Sequence, residues 1–237
     1  MKTAVSFSNK ICTPEVLSEL YNTYPEIRYI IDKGSELSGY DLLKTPITDE
    51  ITKQIAAFAF GACVNELLKN KGVEIFAYTG YSLGEITAIY AANALSLEEA
   101  FGIIKIRGRY MQKIVDEDKN DSAFHSNSMH RVCWEFIKEA SKEIKRGGDL
   151  QFADTNLYSN VSGLRYKKFT YLPDYFRLQM HMPLKWDKLV STMASEGIDT
   201  VYEVGCGKYF LNESNAQNTN INVITINGID TLKDALK

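Results

Sequence analysis

Ser82 lies in a glycine-flanked run, 80–84 (GYSLG), between a strand pattern and a helix pattern. The apolar run 73–78 before it predicts a buried strand, and the Ala-rich run 86–94 after it predicts a helix. Small residues on both sides of a serine allow a tight, strained strand-to-helix turn that exposes its hydroxyl. The helix that follows offers backbone N–H groups and a positive dipole end to an oxyanion. The run therefore predicts a nucleophilic serine, against the alternative of a packed glycine-rich turn.

Strand-like and helix-like segments alternate along the rest of the chain. Further strands are predicted at Thr3–Phe7, Thr200–Val204 and Asn222–Ile226, and helices at 14–33, Glu50–Asn70 (amphipathic), 97–115 and 132–145. Strands separated by helices favour an α/β fold with three α/β/α layers around a mostly parallel sheet, with Ser82 at the carboxyl end of a strand. The polar segments 116–122 and 212–220 are expected to be loop tips. The length suits a single domain over residues 1–237.

Composition excludes several classes of function. A hydrophobic fraction of 45% with 24% charged residues is ordinary for a globular protein. A net charge of -3 gives no basic field for nucleic acid, and no run has the length or apolarity of a signal peptide or a membrane span. Cys12, Cys63, Cys133 and Cys206 lack the spacing of a metal site or a disulfide framework. We expect a reduced, cytoplasmic protein that binds no metal, nucleic acid or membrane.

A serine nucleophile needs a base, and histidine has the appropriate pKa. The chain has three histidines. His125 follows the polar segment 116–122 and precedes a predicted helix. His130 would open that helix as a solvated or packing residue, and His181, between two methionines, is expected to lie in the core.

Six short motifs in the chain resemble those of a known protein family. In chain order they are 80–85 (GYSLGE), 107–112 (RGRYMQ), 123–126 (AFHS), 158–163 (YSNVSG), Gln179 with 183–186 (PLKW), and 203–207 (EVGCG). Together they resemble the malonyl-CoA:acyl-carrier-protein transacylases and the acyltransferase domains of fatty-acid and polyketide synthases. The resemblance implies the large-subdomain fold of that family.

The resemblance also assigns roles. It makes Ser82 the nucleophile and His125 its general base, oriented by the backbone carbonyl of Gln179. It places one oxyanion donor at the backbone N–H of Leu83, and Arg107 where the family binds the free carboxylate of the malonyl group. The implied chemistry needs neither a metal nor a cofactor beyond the coenzyme A thioester that is the substrate.

The role of Arg107 has a physical rationale. A carboxylate in a partly desolvated pocket needs a cationic partner, and guanidinium offers two parallel donors. Without that partner, burying the carboxylate would cost several kcal/mol. The alternative is a solvent-facing arginine on a charged helix, which is our expectation for Arg109. Phe124, just before His125, resembles the family variant that is associated with malonyl rather than with bulkier branched groups.

Two substitutions depart from the family at the site. The family's first strand leads into a Gly-Gln-Gly-Ser-Gln loop that gives the second oxyanion donor, whereas this chain has 7–12 (FSNKIC). A backbone N–H of Asn9 or Lys10 would be the substitute. Tyr81 stands where the family usually has histidine, and its phenol is expected to hydrogen-bond near the substrate.

The third departure is the largest. Only 43 residues separate Ser82 from His125. The family normally has a ferredoxin-like small subdomain in this interval, and the short segment 116–122 stands in its place. One wall of the usual cleft would then be absent, so a shallow, open site is expected.

The sequence therefore predicts an acyltransferase that moves a malonyl group from malonyl-CoA to the phosphopantetheine thiol of an acyl carrier protein. Two alternatives stay open. One is a hydrolase that clears acyl thioesters from carrier proteins, and the other is an inactive homologue that only binds a carrier protein. A patatin-like lipase, which pairs its serine with an aspartate in an Asp-Gly turn, is disfavoured because 147–149 (GGD) has the reverse order.

Overall fold

A computed structural model describes residues 1–11, 13–118, 124–125, 129–145, 155–166 and 171–237. Within these residues the strands are β1 (Thr3–Phe7), β2 (Ile75–Gly80), β3 (Asn156–Ser159), β4 (Leu164–Arg165), β5 (Thr200–Val204) and β6 (Asn222–Ile226). They form one sheet in the order β4-β3-β2-β1-β5-β6. Neighbouring strands run parallel except for the antiparallel pair β3 and β4. The carboxyl ends of β1, β2, β3 and β5 therefore meet at one edge of the sheet.

Helices cover both faces of this sheet. They are α1 (Val16–Thr23), α2 (Arg28–Ser38), α3 (Glu50–Asn70), α4 (Gly84–Ala91), α5 (Leu97–Asp118), α6 (His130–Ala140), α7 (Leu172–His181), α8 (Trp186–Ser195), α9 (Tyr209–Ala216) and α10 (Ile229–Ala235). Side chains alternate along each strand. Val5 and Tyr78 pack into the larger core with α3 to α5, while Ala4 and Ala77 pack against α8 and α9 on the opposite face. The predicted three-layer α/β/α fold with a mostly parallel sheet is confirmed.

Helix α3 has the predicted bounds but is not amphipathic. Besides the expected apolar face, Phe60, Cys63 and Leu68 are also buried. Phe58 makes edge contacts with Tyr90, at 5.3 Å between ring centroids, and with Phe101, at 4.7 Å. The helix is buried all round because α2 and α5 cover the side that faces away from the sheet.

Several segments differ from the sequence prediction. The polar segment 116–122 is not a loop tip throughout, because α5 extends to Asp118. The predicted helix 14–33 is broken by a 3-10 turn at Pro25–Ile27, since proline cannot donate the hydrogen bond that would continue a helix. The segment 212–220 is not a loop tip throughout, because α9 extends to Ala216. Glu203 at the end of β5 accepts hydrogen bonds from the backbone N–H groups of Phe210 (2.8 Å) and Leu211 (3.1 Å). By accepting these bonds, the Glu203 side chain stabilises the start of α9, although the sequence of that helix is polar.

The cysteines differ in their chemistry. Cys63 and Cys133 are buried free thiols, whereas Cys206 is in a disulfide. The expectation of a fully reduced chain is thus wrong at Cys206. Cys12 lies outside the described residues.

The serine turn is pressed against the end of β1. The backbone N–H of Tyr81 donates to the carbonyl of Phe7 at 2.8 Å. A Cβ atom on Gly84 would lie 1.9 Å from that same carbonyl oxygen, and one on Gly80 would lie 2.1 Å from the carbonyl of Gly84. Both glycines are therefore required by close approach of backbone to backbone.

We predict that Gly84→Ala lowers the free energy of unfolding by about 2–3 kcal/mol, because the methyl group must displace backbone rather than a flexible side chain. Gly228→Ala is the matched control. A Cβ on Gly228 meets no described atom within 4 Å, so the change should be under about 1 kcal/mol. Urea denaturation followed by circular dichroism measures both. Equal destabilisation by the two substitutions would contradict the close approach.

Candidate active site

Ser82 occupies a strained turn between β2 and α4. Its φ angle of 53° lies in the left-handed region, which costs a non-glycine residue about 1–2 kcal/mol. The Ser82 carbonyl accepts hydrogen bonds from the backbone N–H of Glu85 at 3.1 Å and from the side-chain amide of Gln179 at 2.6 Å. These bonds hold the turn and present the hydroxyl of Ser82, which is 5% exposed, to a cavity of about 500 Å³.

Ser82, His125 and Gln179 form a continuous chain of hydrogen bonds. The Oγ atom of Ser82 lies 2.8 Å from Nε2 of His125. The other ring nitrogen, Nδ1, lies 2.8 Å from the backbone carbonyl oxygen of Gln179. A carbonyl can only accept, so Nδ1 carries the proton and Nε2 is free to accept one from the serine.

The surroundings of His125 keep its ring neutral. Its pKa is lowered to about 4, chiefly by burial and also by the nearby Arg107 guanidinium, while the bond to the Gln179 carbonyl acts in the opposite direction. At neutral pH the imidazole is unprotonated, which is the form that a general base requires.

Arg107 is a buried cation on α5 that faces the serine. It is 1% exposed. Its Nη1 donates to Oε1 of Gln54 at 2.7 Å and its Nη2 donates to Oγ of Ser82 at 3.1 Å, while Nε has no hydrogen-bond partner. Burial lowers the pKa to about 10, so the group is still charged at neutral pH. Among the described side chains, none forms a salt bridge with it.

A buried charge without a counter-ion is expensive unless a ligand supplies one. Arg109, two residues later, has the opposite character. It is exposed and forms a salt bridge of 2.7 Å with Glu139. The two arginines are distributed as the sequence predicts, with one facing the serine and one facing solvent.

Two backbone N–H groups are available for an oxyanion. Within the described chain, the N–H of Leu83 and the N–H of Asn9 make no hydrogen bond. The N–H of Lys10 is already engaged, since it donates to Oγ of Ser8 at 3.2 Å. Of the two candidates in the first loop, Asn9 therefore has the free donor.

The cavity wall includes some predicted substrate-binding residues and omits one. Asn9, Lys10, Arg107 and Phe124 line it, together with Ser82, Leu83 and Tyr209. The ring of Tyr81 instead stacks on Tyr209, with 3.9 Å between centroids, and makes an edge contact with Trp186 at 5.2 Å. The hydroxyl of Tyr81 makes no hydrogen bond among the described residues, because the ring packs inside an aromatic cluster, and its contact with a substrate stays a prediction.

The reacting groups are buried, since Ser82 is 5% and Arg107 is 1% exposed. The segment 119–123 lies outside the described residues, so the shallow, open site stays a prediction. The triplet 147–149 of the disfavoured lipase alternative also lies outside them.

Glu85, to which the motifs assigned no role, joins three elements behind the serine. Its Oε1 accepts hydrogen bonds from the hydroxyl of Tyr175 (2.6 Å), the backbone N–H of Asn160 (2.8 Å) and the hydroxyl of Tyr166 (3.0 Å). The amide of Asn160 in turn donates to the carbonyl of Gly80 at 2.9 Å. This network fixes the serine turn to β3 and α7.

The buried position of Glu85 changes its acidity. Burial raises its pKa to about 8, against the hydrogen bonds that it accepts, and its Oε2 has no partner. The carboxyl group is therefore largely protonated at pH 7.

Gln54 is a second residue of the site that the sequence did not reveal. The available signal was a polar residue in the middle of an otherwise apolar helix, since a buried glutamine must have a partner.

The described residues contain neither a candidate metal site nor a candidate membrane-spanning helix. No group of three or more His, Cys, Asp or Glu side chains within them could hold a metal ion. No helix in those ranges has the length and apolarity to cross a membrane. The cytoplasmic location stays a prediction.

Several known proteins that resemble this chain in sequence or in fold are malonyl-CoA:acyl-carrier-protein transacylases. No protein-family model matches the chain. A malonyl CoA-acyl carrier protein transacylase of Bacillus subtilis is 20% identical over 293 aligned positions, covering 92% of this chain and 91% of that protein. A non-reducing polyketide synthase, pks12 of Talaromyces marneffei, is 29% identical over 101 residues, which cover 39% of this chain but only 6% of the synthase.

Solved structures agree over the whole chain. The malonyl CoA-acyl carrier protein transacylase of Clostridium perfringens superimposes with a TM-score of 0.85 at 18% identity, covering 100% of this chain and 96% of that one. A malonyl-transacylase solved in complex with a type II polyketide-synthase acyl-carrier protein gives 0.84 at 16% identity, with 100% and 99% covered. The chain has the fold of the malonyl-CoA:acyl-carrier-protein transacylases, and the resemblance inferred from its motifs is confirmed.

The alignment also bears on the length of this chain. It spans 293 positions but contains only about 218 residues of this chain, which is 92% of 237. About 75 aligned positions of the Bacillus protein therefore have no counterpart here. The absence of a small subdomain between Gln112 and His125 stays a prediction that this difference in length supports.

We predict that Glu85→Gln is more stable than the wild type at pH 8 by about 2–4 kcal/mol and nearly equal to it at pH 5. A carboxyl whose folded pKa is raised stabilises the fold below its unfolded pKa and loses that contribution as the pH rises through the folded value, here between 4.5 and about 8. Gln keeps the accepting oxygen and does not titrate. Urea denaturation across this pH range measures the difference.

Glu135→Gln, on the exposed face of α6, is the control. As a surface substitution, it should change the free energy of unfolding by less than about 0.5 kcal/mol. A difference for Glu85→Gln that is independent of pH would contradict a neutral buried carboxyl.

Proposed function

We propose that this chain transfers a malonyl group from malonyl-CoA to the phosphopantetheine thiol of an acyl carrier protein through an acyl-Ser82 intermediate. The observation that carries the proposal is Arg107, a buried guanidinium with no anionic partner among the described residues and 3.1 Å from the serine oxygen. An acyl group bound to Ser82 that ends in a carboxylate would supply the missing counter-ion. A simple acyl chain would leave it unpaired.

The first half-reaction follows from the hydrogen bonds. His125 takes the Ser82 proton at Nε2 as Oγ attacks the thioester carbonyl. The resulting oxyanion is placed near the N–H groups of Leu83 and Asn9, where preorganised donors stabilise it as charge develops. Collapse breaks the carbon–sulfur bond, and the departing coenzyme A thiolate takes the proton from His125.

The second half-reaction reverses these steps with a different thiol. The carrier's phosphopantetheine thiol gives its proton to His125 and attacks the acyl-serine. The oxyanion collapses, Oγ leaves and regains the proton, and free Ser82 is restored. The chemistry needs no metal and no cofactor. A relative of this fold has been solved in complex with an acyl-carrier protein, which supports the same class of partner here.

A second candidate, thioester hydrolysis, is favoured by one observation, the roughly 75 aligned positions that this chain lacks. Fewer residues around the acyl-serine would leave it less protected from water. The buried, unpaired Arg107 opposes a hydrolase of simple acyl chains. Product analysis with malonyl-CoA and a carrier protein separates the candidates: malonyl-carrier supports transfer, and malonate without malonyl-carrier supports hydrolysis. Carrier binding without either product supports an inactive homologue.

We predict that malonyl-CoA leaves a malonyl adduct on the wild-type chain and none on Ser82→Ala, measured by intact-mass spectrometry. His125→Ala should slow acylation by about 10²–10⁴, the usual contribution of a positioned general base. His130→Ala, an exposed residue at the start of α6, is the control and should acylate within about twofold of the wild type. An adduct that persists on Ser82→Ala would remove the proposed nucleophile.

We predict that Arg107→Ala reduces acylation by malonyl-CoA by about 10² or more, since a buried carboxylate would lose its charged partner. Acylation by acetyl-CoA should be unchanged or faster, because acetyl has no carboxylate to pair. Arg109→Ala is the matched control on the same helix, and it should leave both reactions unchanged. An equal loss with both thioesters would mean that Arg107 supports the fold and does not recognise the acid.

A further inference from the structure

One serine oxygen connects the cation to the base. Oγ of Ser82 accepts a hydrogen bond from Nη2 of Arg107 at 3.1 Å and lies 2.8 Å from Nε2 of His125. The guanidinium and the imidazole are therefore within about 6 Å of each other, at hydrogen-bonding distance from the same atom. At this separation in a buried site, charges interact strongly.

The charge on Arg107 is not cancelled by its surroundings. Two carboxyl groups act on it, Glu50 from α3 and Glu85 from α4. Glu50 forms a salt bridge of 3.0 Å with Lys53. Glu85, with its pKa raised to about 8, is largely neutral at pH 7.

Among the described residues, three groups act on the His125 ring. They are the Ser82 hydroxyl from the serine turn, the Gln179 carbonyl from α7 and the Arg107 guanidinium from α5. Of these three, only the guanidinium carries a charge. When His125 takes the serine proton, it becomes a second cation beside the first. Glu50, whose charge is shared with Lys53, offsets part of this charge from the Arg107 side.

We propose that the carboxylate of the acyl group activates His125 by neutralising Arg107, so that the specificity for a carboxylated acyl group is expressed in the rate of acylation as well as in binding. This inference rests on the proposed function. It gives Arg107 a second role. Besides binding a carboxylate, Arg107 keeps His125 a weaker base toward acyl groups that lack one, and so discriminates in the chemical step.

Binding alone predicts a different pattern. If Arg107 only anchored the substrate, malonyl-CoA and acetyl-CoA would differ in the concentration that half-saturates the enzyme and would share one maximal rate constant. If the carboxylate activates the base, the maximal rate constants differ. The two patterns can be separated on the wild-type chain, so the comparison does not depend on a variant that folds.

The first experiment uses no thioester. Phenylmethanesulfonyl fluoride labels an activated serine, and the pH dependence of labelling reports the pKa of the base that activates it. The pKa of His125 is lowered to about 4, so wild-type labelling, followed from about pH 8 to about pH 3.5, should be half-maximal near pH 4. Arg107→Gln removes the charge, and the pH of half-maximal labelling should rise by about one unit, a tenfold change in proton affinity. Arg107→Lys keeps the charge and should retain the wild-type profile.

A purely structural role for Arg107 would change the labelling rate at every pH and leave the shape of the profile unaltered. An identical profile for the wild type, Arg107→Gln and Arg107→Lys would therefore overturn the coupling between Arg107 and His125.

The second experiment measures single-turnover acylation at saturating thioester. In the wild type, malonyl-CoA should have a maximal rate constant about tenfold or more above that of acetyl-CoA. In Arg107→Gln the two should converge to within about threefold, with the acetyl-CoA value increased. A wild-type preference that lies wholly in the half-saturating concentration would overturn the inference. If neither thioester acylates the chain, the proposed function fails, and the labelling profile still decides whether Arg107 controls His125.

Discussion

The site depends on the contact between the serine turn and the end of β1. Gly84 lies so close to the Phe7 carbonyl that no side chain fits between them, and the N–H of Tyr81 binds the same oxygen. This contact forces Ser82 into a left-handed conformation and starts α4 directly behind it. It also places the first loop, with the free N–H of Asn9, beside the serine. The strain at Ser82 is maintained because the sheet below it is rigid.

The electrostatics of the site depend on burial more than on ion pairs. Burial lowers the pKa of His125 to about 4 and raises the pKa of Glu85 to about 8, so both are neutral or largely neutral near pH 7. Arg107 keeps its charge under the same conditions. Among the described residues behind the serine, Arg107 thus carries a positive charge that the neutral groups around it do not compensate. This asymmetry is the basis for proposing a substrate with a carboxylate.

The sequence predicted the fold class, the serine turn and the central strands because these have strong local patterns. The strands β3 and β4 were not predicted, since short edge strands have little periodicity. Helix α9 was not predicted because its start is stabilised by the side chain of Glu203 from the preceding strand, a contact that periodicity does not show. At the site, the motifs led to Ser82, His125, Gln179 and Arg107, which the structure brings together. Their catalytic roles stay predictions.

The interactions that local patterns could not indicate are those between buried polar groups far apart in the chain. Gln54 contacts Arg107 across 53 residues, and the hydroxyl of Tyr175 contacts Glu85 across 90. Tyr81 shows that position in the sequence alone does not fix where a side chain packs. Its position beside the serine suggested contact with substrate, whereas its aromatic ring favours the stack with Tyr209.

Gln179 has a mechanical consequence. Its backbone carbonyl holds the imidazole of His125, and its side-chain amide holds the carbonyl of Ser82. One residue near the end of α7 thus forms hydrogen bonds with both Ser82 and His125. Because both bonds come from one residue, a displacement of α7 would act on the base and on the nucleophile at the same time. The geometry of the Ser82–His125 pair is thus tied to the position of α7.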